Sequence, residues 1–229
     1  MAEYGFNHAG AFRAGPTRHP REVAGQVLRW QVVAATAASL AAGLALAEAV
    51  SPAYLMNAII YSPPGLVLVG RLAMVYIPLY ELTGSTHLSL AAGILFTNAV
   101  TVGTSLAAPL ALHASHGLGL RMRGRRWCGP RWLLYPDWRL SQIIMIFVSL
   151  YLAAFTGFSV AAASLARSPA AFMLPETLYV VLAASAVYAA SRLPYEGFVA
   201  AYKSMLRKTV PAIAALMVVS AVVEAYEVL

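Results

Sequence analysis

Long apolar runs, separated by short polar or proline-containing segments, dominate the chain from residue 30 onward. A helix needs about 20 consecutive apolar residues to cross the hydrocarbon core of a bilayer. The clear runs of about that length occupy residues 30–50, 87–112, 140–165, 172–191 and 210–228. The pattern therefore predicts an all-α fold, a polytopic transmembrane helix bundle.

A further apolar stretch, residues 66–82, is shorter, contains Arg71 and Pro78 and ends beside Glu81. The topology depends on whether this segment crosses the membrane. Basic residues beside spans favour the cytoplasmic side, so the two topologies differ in where they place Lys and Arg. If residues 66–82 cross, the N-terminal tail falls on the opposite side from both long basic loops, and the charge asymmetry weakens.

If residues 66–82 do not cross, the tail and the 113–139 and 192–209 loops share one side. These segments hold every Lys and Arg except Arg71 and Arg167, which is a nearly complete positive-inside pattern. We therefore predict five spans in a cell membrane, with the N-terminus cytoplasmic and the C-terminus extracytoplasmic. The 66–82 segment is then a re-entrant or interfacial helix on the outer side. It must pack on the bundle, because backbone that enters hydrocarbon without crossing has to be covered by protein.

Composition agrees with a membrane protein, because 60% of the 229 residues are hydrophobic and only 11% are charged. A soluble domain carries about 25% charged residues. Residues 1–29 are polar, and we predict a cytoplasmic N-terminal tail there. No internal repeat divides the remainder, so residues 30–229 are predicted to form a single transmembrane helical domain. The single cysteine, Cys128, excludes an internal disulfide framework and a cysteine-rich metal site.

Ionisable side chains are costly to insert into a membrane, by roughly 2.5–3.5 kcal/mol each. The predicted topology places several of them toward the outer half, namely Glu48, Arg71, Glu81, Glu176 and Glu224. One interpretation is an outward-facing acidic cavity that binds a proton or a cation, with Arg71 as counter-ion. The other, favoured by positions near the interfaces, pairs Arg71 with one carboxylate while the other acids reach the headgroups. Asn98 lies deeper, where we expect an interhelical hydrogen bond.

Other candidate chemistry is sparse. His113 and His116 share a helix face at a spacing that suits a metal, but no third ligand is evident, so we expect an interfacial helix end and no metal site. Cys128 lies among basic residues, which lower the pKa of a thiol, yet no partner base accompanies it. The sequence lacks nucleotide-binding, zinc-protease and serine-hydrolase motifs. We therefore predict no catalytic residues, no enzyme activity and no cofactor.

The 113–139 loop is rich in arginine and tryptophan. Basic residues near a membrane surface attract anionic lipid headgroups by about 1 kcal/mol each. We expect a contact with lipid headgroups or a partner at Arg121, Arg123, Arg125, Arg126 and Arg131. The topological role of these residues explains the net charge of +7 without a nucleic acid partner.

Three short stretches resemble the stage II sporulation protein M family of small polytopic membrane proteins. They are residues 93–99, 174–178 and 221–226. The first resembles the family's Ile-Phe-x-Asn-Asn motif, with Ala99 in place of the second Asn. The second resembles Leu-Pro-His-Gly-Ile followed by Glu, with Glu176 at the His position and Val180 at the Glu position. The third is similar to the family's terminal Ala-x-Ile-Glu-Ala and is the best match.

In sporulating bacteria that family member is a membrane scaffold in a complex that remodels the cell wall during engulfment. The resemblance therefore implies a non-enzymatic membrane scaffold or assembly protein. Thr36, Ser39 and Gly43 give the first span a small-residue face suited to close helix packing, and we expect self-association or binding to other membrane proteins. The alternative is a small transporter or channel that uses Arg71 and the outer carboxylates. That alternative requires a wet path lined by those carboxylates.

Overall fold

The computed structural model describes residues 29–50, 54, 57–58, 60–122, 137–166 and 173–227, and no strand occurs in them. The helices, numbered in chain order, are α1 (Trp30–Val50), α2 (Pro63–Thr83), α3 (Thr86–Arg121), α4 (Trp138–Ala166), α5 (Met173–Ala190) and α6 (Phe198–Glu227). Most of the predicted N-terminal tail lies outside the described residues. So do Cys128, Arg123, Arg125, Arg126 and Arg131.

Four helical segments of the described residues are long and apolar enough to cross a membrane: Gly65–Thr83, Thr86–Arg121, Trp138–Ala161 and Phe198–Glu227. Two shorter apolar helices, Trp30–Leu46 and Leu174–Ala190, lie within α1 and α5. The prediction of a helical, membrane-spanning protein is confirmed at this level. The Gly65–Thr83 segment, which contains the ambiguous residues 66–82, is one of the four.

α6 begins 12 residues before the predicted span at residue 210. Most of the basic 192–209 segment is therefore helix, and the prediction of a loop there was wrong. An apolar stripe explains the difference, because Phe198, Tyr202, Met205 and Thr209 recur at helical spacing and are all buried. The basic residues Lys203, Arg207 and Lys208 lie between these buried positions and are exposed.

Two contacts between α3 and α6 fix the direction of the helices. His87 stacks on Tyr226 with ring centroids 4.7 Å apart, and His113 stacks on Phe198 at 5.1 Å. α3 and α6 are therefore antiparallel. We call the end of the bundle with His87 and Tyr226 the acidic end, after the carboxylates described below. The end with His113 and Phe198 is the aromatic end.

α5 is the central helix of the bundle. From Tyr179 to Ser191 every residue except Leu182 is buried, and α5 packs against α1, α3, α4 and α6. Alanine makes this possible, because small side chains let neighbouring helix backbones approach closely. The hydrophobic core therefore surrounds α5.

α1 packs along α4 through small residues on both helices. An added Cβ at Gly157 would lie 2.5 Å from the Thr36 carbonyl oxygen, and one at Gly43 would lie 2.7 Å from the Ala161 Cβ. Both positions therefore need glycine at this close approach. Because Thr36 lies beside Gly157 and Gly43 beside Ala161, α1 and α4 run parallel. The small-residue face predicted for the first span is real, but it is used within the chain.

α2 lies at the edge of the bundle, and among the described helices it makes substantial contact only with α3. A tight turn joins the two helices, with Gly84 at a φ of 65° and Ser85 capping α3. An added Cβ at Gly93 would lie 3.1 Å from the Leu72 carbonyl oxygen. α2 therefore lies lengthwise and antiparallel along the N-terminal half of α3.

Candidate functional site

Arg71 lies on α2, and its side chain reaches α3. Its Nη1 donates a hydrogen bond to Thr101 Oγ1 across 3.3 Å. Thr101 Oγ1 can accept because its own hydrogen is donated to the Thr97 carbonyl oxygen at 2.9 Å. A neutral hydroxyl thus holds the guanidinium between two apolar helices.

The depth of Arg71 follows from its position along α3. Thr101 is 14 residues from His87 and 12 residues from His113. At a rise of 1.5 Å per residue, these intervals are about 21 Å and about 18 Å. Arg71 is therefore level with the middle of the bundle, where an ionisable residue marks a functional site more strongly than at an interface.

Thr101 belongs to a polar face of α3 that borders Arg71. Asn98, Thr101 and Ser105 follow one another at helical spacing and are all half-buried. Ser105 Oγ donates to the Thr101 carbonyl oxygen at 2.9 Å. The interhelical hydrogen bond predicted for Asn98 is not among the contacts of the described residues. Together these groups give the α2–α3 pair hydrogen-bonding capacity at mid-depth, next to a fixed positive charge.

Glu176 and Glu224 come together at the acidic end. Glu176 lies in the first turn of α5. Glu224 precedes Ala225, whose carbonyl oxygen is 3.3 Å from His87 Nδ1. The charges of the two glutamates interact with each other and with the buried Tyr179. These two carboxyl groups and the phenol are close enough to influence one another electrostatically, so this part of the predicted outer cluster is assembled.

Arg71 does not belong to that cluster, which corrects the prediction of one cation facing several carboxylates at one depth. Glu224 is level with His87 and Arg71 with Thr101, so about 21 Å of helix separates them. Glu81 is exposed near the end of α2, and the side chain of Glu48 lies outside the described part. The error has a physical origin: residues 66–82 extend inward along α3, so Arg71 lies deep.

The aromatic end holds a cluster that the sequence interpretation missed. His113 stacks on Tyr195 at 4.5 Å and on Phe198 at 5.1 Å, with Trp138 edge-on at 5.8 Å. His116 meets Tyr195 at 4.8 Å. The rings come from α3, from α4 and from the turn and first residue of α6, so they tie these elements together. The clustering of aromatic residues at predicted span ends was the available signal.

Both histidines of the pair pack against aromatic rings. No group of three or more His, Cys, Asp or Glu side chains that could hold a metal occurs in the described ranges. Arg121 lies in the last turn of α3 and is exposed. The described residues therefore provide an aromatic cluster at one end, a carboxylate pair at the other and Arg71 midway between. No family model, no curated protein and no solved structure matches this chain.

Proposed function

We propose that this chain is a non-enzymatic membrane scaffold or assembly protein. The observation that carries the proposal is the packed centre of the bundle. The stretch from Tyr179 to Ser191 contains no charged residue, and its alanines are 0% exposed. A transporter needs ionisable residues that line a water-filled path near the midplane. Along α5 that space is filled by alanine and valine.

The resemblance to the stage II sporulation protein M family supports the same function. Two of the three resembling stretches, residues 174–178 and 221–226, meet at the acidic end, where the charges of Glu176 and Glu224 interact. The third, residues 93–99, lies on α3, against which α2 packs. Segments far apart in sequence therefore contribute to connected surfaces, which suits a protein that holds partners in place.

For topology, we propose five spans, with α2 as a re-entrant helix and the aromatic end in the cytoplasm. α1 runs parallel to α4, and α2 runs antiparallel to α3. α3 and α4 are antiparallel, because His113 of α3 meets Trp138, the first residue of α4, at the aromatic end. α1 and α2 therefore run in the same direction, as expected for a chain that leaves the bundle after α1 and re-enters it before α2. The exposed basic residues Arg121, Arg139, Arg192 and Lys203 lie in or beside helix ends at the aromatic end, which suits the positive-inside rule. In this topology the C-terminus is extracytoplasmic.

A small transporter or channel is the second candidate, and the pairing of Glu176 with Glu224 favours it. The two carboxyl groups lie beside Tyr179 at the acidic end, which is the outer end in the proposed topology. A proton or cation could bind there. The site stands alone, however, because Arg71, the counter-ion that this function invokes, is about 21 Å away along the bundle.

Ion flux separates the two candidates. The purified chain is reconstituted in liposomes, and proton, sodium and potassium fluxes are measured under imposed gradients. A scaffold gives no flux above protein-free liposomes. Wild-type flux that both Glu176→Gln and Glu224→Gln abolish would establish the transporter instead.

The scaffold also predicts an assembly in the native membrane. Extraction in lipid nanodiscs, followed by mass measurement, is expected to give a discrete complex larger than one 24.4 kDa chain. A single chain alone in every nanodisc would contradict the proposal.

A further inference from the structure

We propose that Arg71 is the docking point for a transmembrane helix of a partner protein that carries an Asp or Glu at the same depth. The inference rests on the proposed scaffold function and names the class of partner that the scaffold holds. It does not depend on the outer carboxylates, which lie at another depth.

The first step concerns the cover over Arg71. Among the described helices α2 has substantial contact only with α3, and its outer face is apolar, with Leu66 53%, Met74 72% and Leu82 83% exposed. Lipid acyl chains can pack against those apolar side chains, but they offer no hydrogen-bond acceptor to a half-buried guanidinium. Polar residues inside membranes almost always face protein or water and pair with a partner. We therefore expect protein, rather than lipid alone, beside Arg71.

The second step concerns the chemistry of the partner. A guanidinium carries five N–H donors and no acceptor, and the structure shows one of them donated to Thr101. The fork geometry of the guanidinium matches a carboxylate, which can accept two parallel hydrogen bonds. A carboxylate also neutralises the charge, which the hydroxyl of Thr101 does not. Charge complementarity therefore indicates an acidic side chain as the occupant.

The third step concerns room for a helix. An added Cβ at Gly70, the neighbour of Arg71 on α2, would meet nothing within 4 Å. Gly70 is exposed and lies at the depth of the guanidinium. An exposed small residue lets another helix backbone come close in a membrane.

Depth argues against a second copy of this chain as the occupant. Arg71 is about 18–21 Å along α3 from the levels of His87 and His113. Two copies of this chain inserted in the same orientation place equivalent residues at the same depth. Among the residues whose side chains are described, the carboxylates lie toward the two ends: Glu81, Glu176, Glu224 and Glu227 at the acidic end, and Asp137 and Glu196 at the aromatic end. The described side chains of a second copy therefore place no carboxylate at this depth.

The test uses the full chain and synthetic transmembrane peptides in liposomes. Three polyleucine peptides with lysine flanks differ only at the central residue, which is Glu, Gln or Leu. Energy transfer from a dye on Cys128 to a dye on the peptide measures association. We expect wild type to prefer the Glu peptide over the Gln peptide by about tenfold, the size of one interhelical polar contact.

Variants assign that preference to Arg71. Arg71→Gln is expected to lose it and Arg71→Lys to retain only part of it, because an ammonium keeps the charge but not the fork geometry. Arg139→Gln, a change at an exposed arginine of the aromatic end, should leave it unchanged. Arg71→Glu should prefer a peptide with a central Lys, which shows that the site is intact after the substitution. Equal binding of the Glu and Gln peptides by wild type overturns the proposal, and so does a Glu preference that survives in Arg71→Gln.

Further outcomes identify a different occupant. Energy transfer between two labelled copies that is lost in Arg71→Gln would assign the site to self-association and overturn a distinct partner. Failure of the peptide test leaves the proposed function standing, because that function is tested by ion flux and by the mass of the native assembly.

Discussion

The α-carbon of Gly157 lies against the carbonyl oxygen of Thr36, so closely that a methyl group at residue 157 would be 2.5 Å from that oxygen. The contact holds α1 on α4. Carbonyl oxygen and helix backbone cannot move aside as a flexible side chain can. The association of the first helix with the bundle therefore requires that residue 157, like residue 43, has no side chain.

Gly157→Ala is expected to destabilise the protein by about 1–3 kcal/mol, the range for overpacking a close contact. Gly103→Ala is the matched control, because it is also a helical glycine but has open space around it. There alanine should be neutral or stabilising by up to about 1 kcal/mol, since it forms helix better than glycine. Thermal unfolding in detergent compares the two. Equal stability of both variants would contradict the close packing of α1 on α4.

Tyr202→Phe is expected to cost about 0.5–1.5 kcal/mol, the net contribution of a buried hydrogen bond. The Tyr202 hydroxyl donates to the Leu106 carbonyl oxygen at 2.8 Å, and the side chain is fully buried. Tyr226→Phe serves as control, because that ring is 68% exposed and its stacking on His87 survives the change. Thermal unfolding should shift for the first variant and stay near wild type for the second.

Glu176→Gln and Glu224→Gln are expected to be non-additive. Burial and the charge of Glu224 both act on the Glu176 carboxyl, so the effect of changing one glutamate depends on whether the other is present. Groups in contact couple by about 0.5–3 kcal/mol in double-mutant cycles. Glu81→Gln combined with Glu224→Gln is the control, because Glu81 is exposed on the separate helix α2. Additive effects for the 176–224 pair would mean that the acidic end holds two independent carboxylates.

Cys128 offers a direct test of orientation, because the chain has only one cysteine. In the proposed topology a membrane-impermeant maleimide leaves Cys128 unlabelled on intact cells and labels it after permeabilisation. In a Cys128→Ser background, Glu227→Cys at the acidic end should be labelled on intact cells, and Glu196→Cys at the aromatic end should not. Labelling of native Cys128 on intact cells would reverse the orientation.

The helices themselves were largely predictable from sequence. Trp30–Val50 has the predicted bounds, and α4 and α5 differ from prediction by one or two residues at each end, because an apolar run of fixed length leaves little freedom. α3 continues to Arg121, nine residues past the predicted end of its span, so the start of the predicted 113–139 loop was wrong. α6 was less predictable, since its first turns carry Lys203, Arg207 and Lys208. Charge there suggested a loop, whereas the buried positions between the charges follow a helical stripe.

The candidate site was predictable in its residues but not in its geometry. Sequence singled out Arg71, Glu176 and Glu224 because charge in an apolar segment is rare. It could not give the register of α2 on α3, which depends on the close approach at Gly93 and places Arg71 at Thr101. The aromatic end was missed because His113, Trp138 and Tyr195 are distant in sequence and meet only through packing.

The central position of α5 has a consequence for biosynthesis. Chains are made from the N-terminus, and this helix is the second-last of the helices described to leave the ribosome. A nascent chain that ends before Met173 has already made α1 to α4, yet lacks the element around which they pack. The earlier helices therefore remain unassembled, in the lipid or beside the insertion machinery, until α5 has been synthesised. A chain truncated just before α5 should be degraded by quality-control proteases.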